Sequence, residues 1–510
     1  MTKGEKDNLF SLIKSLTKSE KRQFKLYVGR IGVNSDSKFL NLFNVLDKLK
    51  EYDEEQILKA KFIKREQLSN VKAHLYRQIL ISLKLNPSHQ NVRSRIREQL
   101  DFASILYHKG LYKQSLKLLG KTKDIAIQNE EKNLAYEIVE LEKVIESQYI
   151  TRSMVGRADE LTNQAKDLSR ANSLTSKLSN LTLQLYGIFL KTGYVRNAEE
   201  RAWIKEYFEK QLPEYEISAL GFREKLWLYK AHLWYSFLLQ DFLNCYRYSL
   251  KWVDLFYDYP DMRKLNPVFF IRGYNYLLES LFMIRNREKF EFHLKRFELA
   301  IEEGNVSTDE NTRALIFQYL STHRINLCFM QGTFARGVEL IPEIEQQLKT
   351  YRSRIDEHHI MTLYYKFACL HFGTGNNEAC IEYLQKIINN KALAMREDLL
   401  CFSRILNLVA HYEAGQDYHL QSLLRTTYKF LLKMNSLHEV QKEMIKFIKG
   451  LQDIYPQDLK YAFIDLHKKL KVYEDDPFES RAFLYLDIIS WLESRIENKP
   501  IDQIIFEKYS

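Results

Sequence analysis

Apolar residues recur at helical spacing along most of this chain, and from about residue 99 the pattern repeats. "LYHKGLYKQSLKLL" (106–119) predicts a helix ending near Gly110, an aromatic at Tyr112, and a small residue, Ser115, that lets a second helix approach closely. Comparable turns are expected at "LKTGYVRNAEE" (Tyr194), "LLQDFLNCYRYSL" (Phe242, Cys245) and "FMQGTFARGVELI" (Phe334, Gly337). They continue at "FGTGNNEACIEYL" (Asn377, Cys380) and "EAGQDYHLQSLL" (Tyr418, Gln421), with a weaker one near Arg287. From Tyr194 the steps are 48, 45, 47, 43 and 41 residues, and Tyr112 to Tyr194 is 82, which is two steps with a turn expected near Ala158. Each step accommodates a pair of helices. One pair cannot bury its apolar stripe alone, so the pattern predicts stacked hairpins in a superhelical solenoid. An irregular all-α domain is the competing architecture.

Both ends read differently. Thr17 and Glu20 form a T-x-x-E capping box, so a helix should begin there. On a helical wheel Phe24, Tyr27, Val28 and Ile31 share one face, Lys18, Lys21, Arg22 and Lys25 share the adjoining one, and Gly29 and Gly32 loosen the end. Two further helices are expected at about 53–61 and 66–85; Leu68, Val71, Leu75 and Ile79 face inward, and Asn70, His74, Arg77 and Lys84 face out. "NVRSRIREQL" (91–100) reads equally well as helix or loop. Near the C-terminus Asp476, Pro477 and Glu479 predict a helix start, and Phe483, Leu486, Ile489 and Trp491 supply the apolar face of a terminal cap. Prolines in "QLPEYEISALGF" and "YDYPDMRKLNP" mark breaks. The expected organisation is a basic helical module at 1–98, helix-turn-helix-like in outline, then helical repeats at 99–440 and capping helices at 441–510.

Composition agrees with an all-α chain. Only 17 glycines and 8 prolines occur in 510 residues, too few for many tight turns. Charge adds something the periodicity does not show. Residues 1–100 hold 21 Lys and Arg against 11 Asp and Glu, whereas 55 bases meet 55 acids in the remaining 410. The whole surplus of +10 therefore sits in the first fifth of the chain, where it suits phosphate, an acidic partner or an anionic membrane surface.

The repeat region resembles the tetratricopeptide-like (TPR-like) helical-repeat superfamily on the turn fragments quoted above, although that superfamily's unit is shorter. The chain is also similar to a group of uncharacterised bacterial proteins of about this length that share its opening "LTKSEKRQFKLY" and its closing "DIISWLESRIENKP". The superfamily resemblance implies a concave surface for a protein or peptide partner, and carries over no individual binding residues. The end motifs imply no activity.

Catalytic chemistry is not signalled. No P-loop, GxGxxG, HExxH, GxSxG or CxxC pattern is present. "DEHH" (356–359) is the most ligand-like cluster, but adjacent histidines diverge by about 100° on a helix, so no metal or other cofactor is expected. Cys245, Cys328, Cys369, Cys380 and Cys401 read as small core residues in a reducing compartment. No apolar run approaches the roughly 18 residues of a membrane span, and the N-terminus lacks a signal-peptide core, so a cytoplasmic location is expected. The reading that follows is a non-enzymatic interaction scaffold or adaptor with a protein or peptide partner. Its alternative is a nucleic-acid-binding regulator, in which Lys18, Lys21, Arg22, Lys25, Asn70, His74, Arg77 and Lys84 contact DNA or RNA and the repeats act as sensor.

Overall fold

A computed structural model describes residues 7–30, 38–86, 91–148, 156–195, 197–304, 306, 309–390, 397–415, 417–431, 439–450, 458–474, 476 and 487–509. Among them there are helices and turns but no strand, so the chain is all-α. Packing divides it into two compact units, residues 1–168 and 169–510.

The first unit contains α1 (Asn8–Ser15), α2 (Lys18–Arg30), α3 (Lys38–Lys48), α4 (Glu54–Lys59), α5 (Arg65–Lys84), α6 (Val92–His108), α7 (Tyr112–Gln128), α8 (Lys132–Gln148) and the start of α9 (Arg157–Thr192). The Thr17–Glu20 capping box forms as expected: Thr17 N donates to Glu20 Oε2 (2.7 Å) and Glu20 N donates to Thr17 Oγ1 (3.2 Å). Phe24 and Val28 of α2 are buried with Leu42, Phe43 and Leu46 of α3 and with Leu68, Leu75 and Ile79 of α5. Val71 packs against the same core, while Ile31 and Gly32 lie outside the described residues. The "NVRSRIREQL" segment is helical, begun by Asn91, whose side chain accepts from Ser94 N at 2.8 Å. The compositional boundary at residue 98 falls inside that helix, α6.

α6 and α7 form the expected hairpin. Ser115, fully buried, donates from Oγ to Ala103 O at 2.7 Å, so the helices close to a distance that a larger side chain would prevent. The next turn differs from expectation. Ala158 is an exposed residue in the first turn of α9; the hairpin turn lies at Asn129–Glu131, between α7 and α8. The 82-residue interval is therefore filled by α7, α8 and the 36-residue α9, not by two equal hairpins.

The second unit continues with α10 (Ala198–Gln211), α11 (Phe222–Leu238), α12 (Phe242–Asp258), α13 (Met262–Leu265), α14 (Pro267–Met283), α15 (Arg287–Glu302), α16 (Glu310–Gln331) and α17 (Phe334–Tyr351). It ends with α18 (Glu357–Gly373), α19 (Asn377–Ile388), α20 (Glu397–Glu413), α21 (Asp417–Leu431), α22 (Glu439–Gly450), α23 (Leu459–Lys471), α24 (Ile488–Glu497) and α25 (Ile501–Tyr509). Sequence-adjacent helices pack as hairpins: α11 with α12, α14 with α15, α16 with α17, α18 with α19, and α20 with α21. The first helices also touch in series, α14 on α16, α16 on α18 and α18 on α20. This is the predicted alternation, and it keeps the predicted rhythm from Phe242 through Arg287, Phe334 and Asn377.

In α12, α15, α17 and α19 the fourth position is a buried residue: Cys245, Phe290, Gly337 and Cys380. Cys245 is fully buried with Sγ 4.0 Å from Leu233 O, and Cys380 is buried likewise. At Gly337 the close neighbour belongs to the following hairpin: an added Cβ would lie 2.5 Å from Leu370 of α18. The C-terminal start expected at Asp476–Glu479, with Phe483 and Leu486, lies outside the described residues except for Asp476. α24 begins at Asp487, whose side chain accepts from Ser490 N. Its Trp491 donates to Glu413 of α20 (3.0 Å), and α25 packs back on α16.

Candidate functional site

The eight predicted contact residues all lie in the first unit, on α2 and α5, which pack on each other through a bond from Tyr27 Oη to Gln78 Oε1 (2.9 Å). The α5 set forms one stripe, its successive members spaced four, three and seven residues apart. The α2 set, with Lys21 and Arg22 adjacent, forms a broader face on which Lys18 stands three, four and seven residues from the others. Lys21 is engaged internally, with Nζ 2.7 Å from Asp47 Oδ1 of α3. The Lys25 ammonium stands 5.8 Å over the Phe43 ring, and His74 meets the edge of Phe39 at 5.1 Å. Lys18, Arg22, Asn70, Arg77 and Lys84 are exposed. The "DEHH" cluster proves to be a helix start. Asp356 accepts from His359 N (3.0 Å) and from its ring Nδ1 (2.5 Å), and these bonds hold the Asp356 carboxyl down at about 2.

The second unit holds a feature that no sequence motif marks: a cavity of about 400 Å³. Most of its lining comes from the first helices of three consecutive hairpins, α14, α16 and α18, and further residues come from α9, α15, α17, α20, α24 and α25. Aromatic rings make up much of the surface, among them Phe282, Tyr319, Phe329 and Tyr365. Charges of both signs lie on its lining, and two of them stand on the walls themselves. Glu279 comes from α14 and Lys366 from α18.

Lys366 is held in place by a polar chain across all three walls. Its Nζ donates to Asn326 Oδ1 at 2.7 Å, Asn326 Nδ2 lies 3.5 Å from His323 Nδ1, and His323 Nε2 lies 3.0 Å from Asn275 Oδ1. With Asn326 Oδ1 accepting from an ammonium, its amide nitrogen faces His323 Nδ1, so Nδ1 accepts and Nε2 carries the proton given to Asn275. His323 and Asn326 are fully buried. Burial, with repulsion from Lys366, pushes His323 down to about 3, so the relay runs through a neutral imidazole.

Burial acts on the two charges in opposite senses. It lowers the Lys366 ammonium against the opposing pull of Glu279, and raises the Glu279 carboxyl against that of Lys366. Cys369, on the same wall, is pushed up to about 12 by burial and is therefore a thiol, not a thiolate nucleophile. Lys366 and Glu279 make no ion pair with each other, and Glu279 accepts no hydrogen bond among the described residues. The sequence does carry a signal for both. Each is an isolated charge in an apolar stretch, "NYLLESLF" and "LYYKFACL", and His323 and Asn326 interrupt "ALIFQYLSTHRINLCFM" in the same way. An ionisable side chain in such a setting needs either a partner or a cavity.

No protein-family model, curated protein or solved structure matches the chain. Among the described residues no helix is long and apolar enough to cross a membrane.

Proposed function

We propose that the chain is a non-enzymatic interaction protein whose second unit holds a peptide segment of a protein partner against its first helices. One observation carries the reading: equivalent helices of three successive hairpins frame a single cavity of about 400 Å³ with aromatic walls and a polar floor. That volume lies within the range of ligand pockets, and aromatic faces make efficient anchors. The hairpin alternation supports a TPR-like array, in which the first helices form the gripping face. Peptides selected from a random library should lose at least tenfold in affinity when Thr322→Trp fills the cavity. Equal binding to both proteins, or no selected peptide at all, would overturn the proposal.

A second reading rests on the exposed cations of α2 and α5. Lys18, Arg22, Arg77 and Lys84 carry no ion pair among the described residues and present free charge to a phosphate backbone. Were all four to contact nucleic acid, a threefold rise in salt would weaken binding about fifty-fold on duplex DNA and about twenty-fold on a single strand. Reversing these four to glutamate should abolish binding while Lys21 keeps its bond to Asp47. A shallow salt dependence would dismiss this role.

A further inference from the structure

We propose that the cavity of the second unit recognises a zwitterion with an apolar side chain, its ammonium set against Glu279 and its carboxylate against Lys366. The inference rests on the binding reading above for its choice of cavity alone, and goes beyond it in naming a free zwitterion as the occupant.

The two charges come from helices separated by α16 and remain apart, yet they bracket the same ring. Phe282 stands one helical turn beyond Glu279 on α14, and the Lys366 ammonium lies 5.5 Å from the centre of that ring. Lys366 has three N–H groups, of which Asn326 takes one. The Asn275–His323–Asn326 chain fixes its direction without neutralising it, because every member of that chain is uncharged. Glu279, half-buried on the same lining, has no hydrogen-bond donor among the described residues.

Complementarity then selects the ligand. A purely anionic ligand would satisfy Lys366 and be repelled by Glu279, and a purely cationic one would do the reverse. A neutral apolar ligand would complete the desolvation of both charges and pair neither, which is the costliest arrangement. A molecule bearing both signs on a short frame satisfies both, and the aromatic walls receive its side chain. Neighbouring charges on the lining, Arg285 included, already have interactions of their own. Arg287 pairs with Glu291 (3.4 Å), and Asp487 accepts from Ser490 N (3.0 Å) and Oγ (2.8 Å). Two sources carry this chemistry: a free apolar amino acid, and a short peptide offering both of its termini.

Calorimetric titration of the full chain separates them. The probes are phenylalanine, the dipeptide Phe-Leu, N-acetyl-phenylalanine and phenylalaninamide. One of the two zwitterions should bind, and the tighter of them identifies the source. Capping either charge of phenylalanine should weaken binding at least tenfold. Glu279→Gln should erase the discrimination against the acetylated form, and Lys366→Gln that against the amide. Absence of binding by both zwitterions, equal binding of the capped forms, or discrimination that survives both substitutions would overturn the proposal. The capped probes test the wild-type protein directly, so the proposal stays open to refutation even where a variant fails to fold. Internal peptides that bind while zwitterions do not would sink this inference and leave the peptide reading standing; if neither binds, both fall.

Discussion

Glu142 is 1% exposed, and two cations converge on it. Lys123 Nζ lies 2.6 Å from its Oε2 and Arg157 Nη2 lies 3.4 Å from its Oε1. Lys123 is itself buried and spends a further N–H on Gln164 (2.9 Å), whereas Arg157 is half-buried and also reaches Glu146 and Glu160. The two cations are therefore unequal. Removing Glu142 strands Lys123 in the interior, while Arg157 keeps two other carboxylates and some water. Glu142→Ala should destabilise the first unit by about 3–5 kcal/mol in urea unfolding, the scale expected for a buried charge deprived of its partner. Arg157→Ala should cost clearly less, and the double change Lys123→Met with Glu142→Leu should recover most of the loss. A Glu142→Ala loss below about 1 kcal/mol would show that Lys123 escapes to solvent.

A single turn design joins most of the hairpins. In each, one residue adopts a left-handed conformation, and the N–H of the next reaches back over the helix end: Leu111 to Leu106 O, Glu131 to Ala126 O, Asp241 to Ser236 O, Asn286 to Leu281 O, Thr333 to Cys328 O and Asn376 to His371 O, at 2.8–3.1 Å. The left-handed residue is Gly110, Gly332 or Gly375 in three of them, but Glu130, Gln240 or Arg285 in the others. This difference decides what can be read from the sequence. The glycine turns are legible. The Arg285 turn is faint, the Glu130 turn is silent, and the Gln240 turn is legible only through Phe242 and Cys245. Tertiary packing bears the cost of about 1–2 kcal/mol for a side chain in that conformation, and local sequence does not announce it. Gly332 shows a second effect invisible to local pattern: its φ is +67°, and an added Cβ would lie 2.7 Å from Asp502 O of α25. The cavity is illegible for the same reason. Glu279, Lys366 and His323 lie on three helices spread over nearly ninety residues, and only the stacking of α14, α16 and α18 brings them together.

At the scale of the whole molecule, the long apolar seam of the second unit encloses histidines that water would otherwise titrate. His323 is fully buried and held down at about 3 by burial and by Lys366; His293 is 5% exposed and held down at about 4 by burial, with Arg296 and Lys289 adding repulsion. An unfolded histidine takes up its proton near pH 6.5. Below that pH the unfolded chain binds protons that the folded chain refuses, so stability must fall as pH falls, from about 6.5 down toward 4. Each such histidine contributes a slope of up to about 1.4 kcal/mol per pH unit in that window. The Asp356 carboxyl acts in the same direction at lower pH, since its depressed value, about 2, withdraws stability only between 3.8 and 2. Urea unfolding of the full chain should thus show stability nearly level between about pH 6.5 and 7.5 and declining between about pH 6.5 and 4.5, with Lys230, held down at about 8 by burial, adding a rise only above about pH 8. His293 offers the cleaner variant, because its Nδ1 makes no hydrogen bond among the described residues, so its loss removes a titrating group without stranding a partner. His293→Leu should flatten the decline by up to about 1.4 kcal/mol per pH unit and leave stability at about pH 7.5 little changed. An unaltered slope would mean that the imidazole is protonated in the folded protein, and that the interior around α15 is wetter than its packing implies.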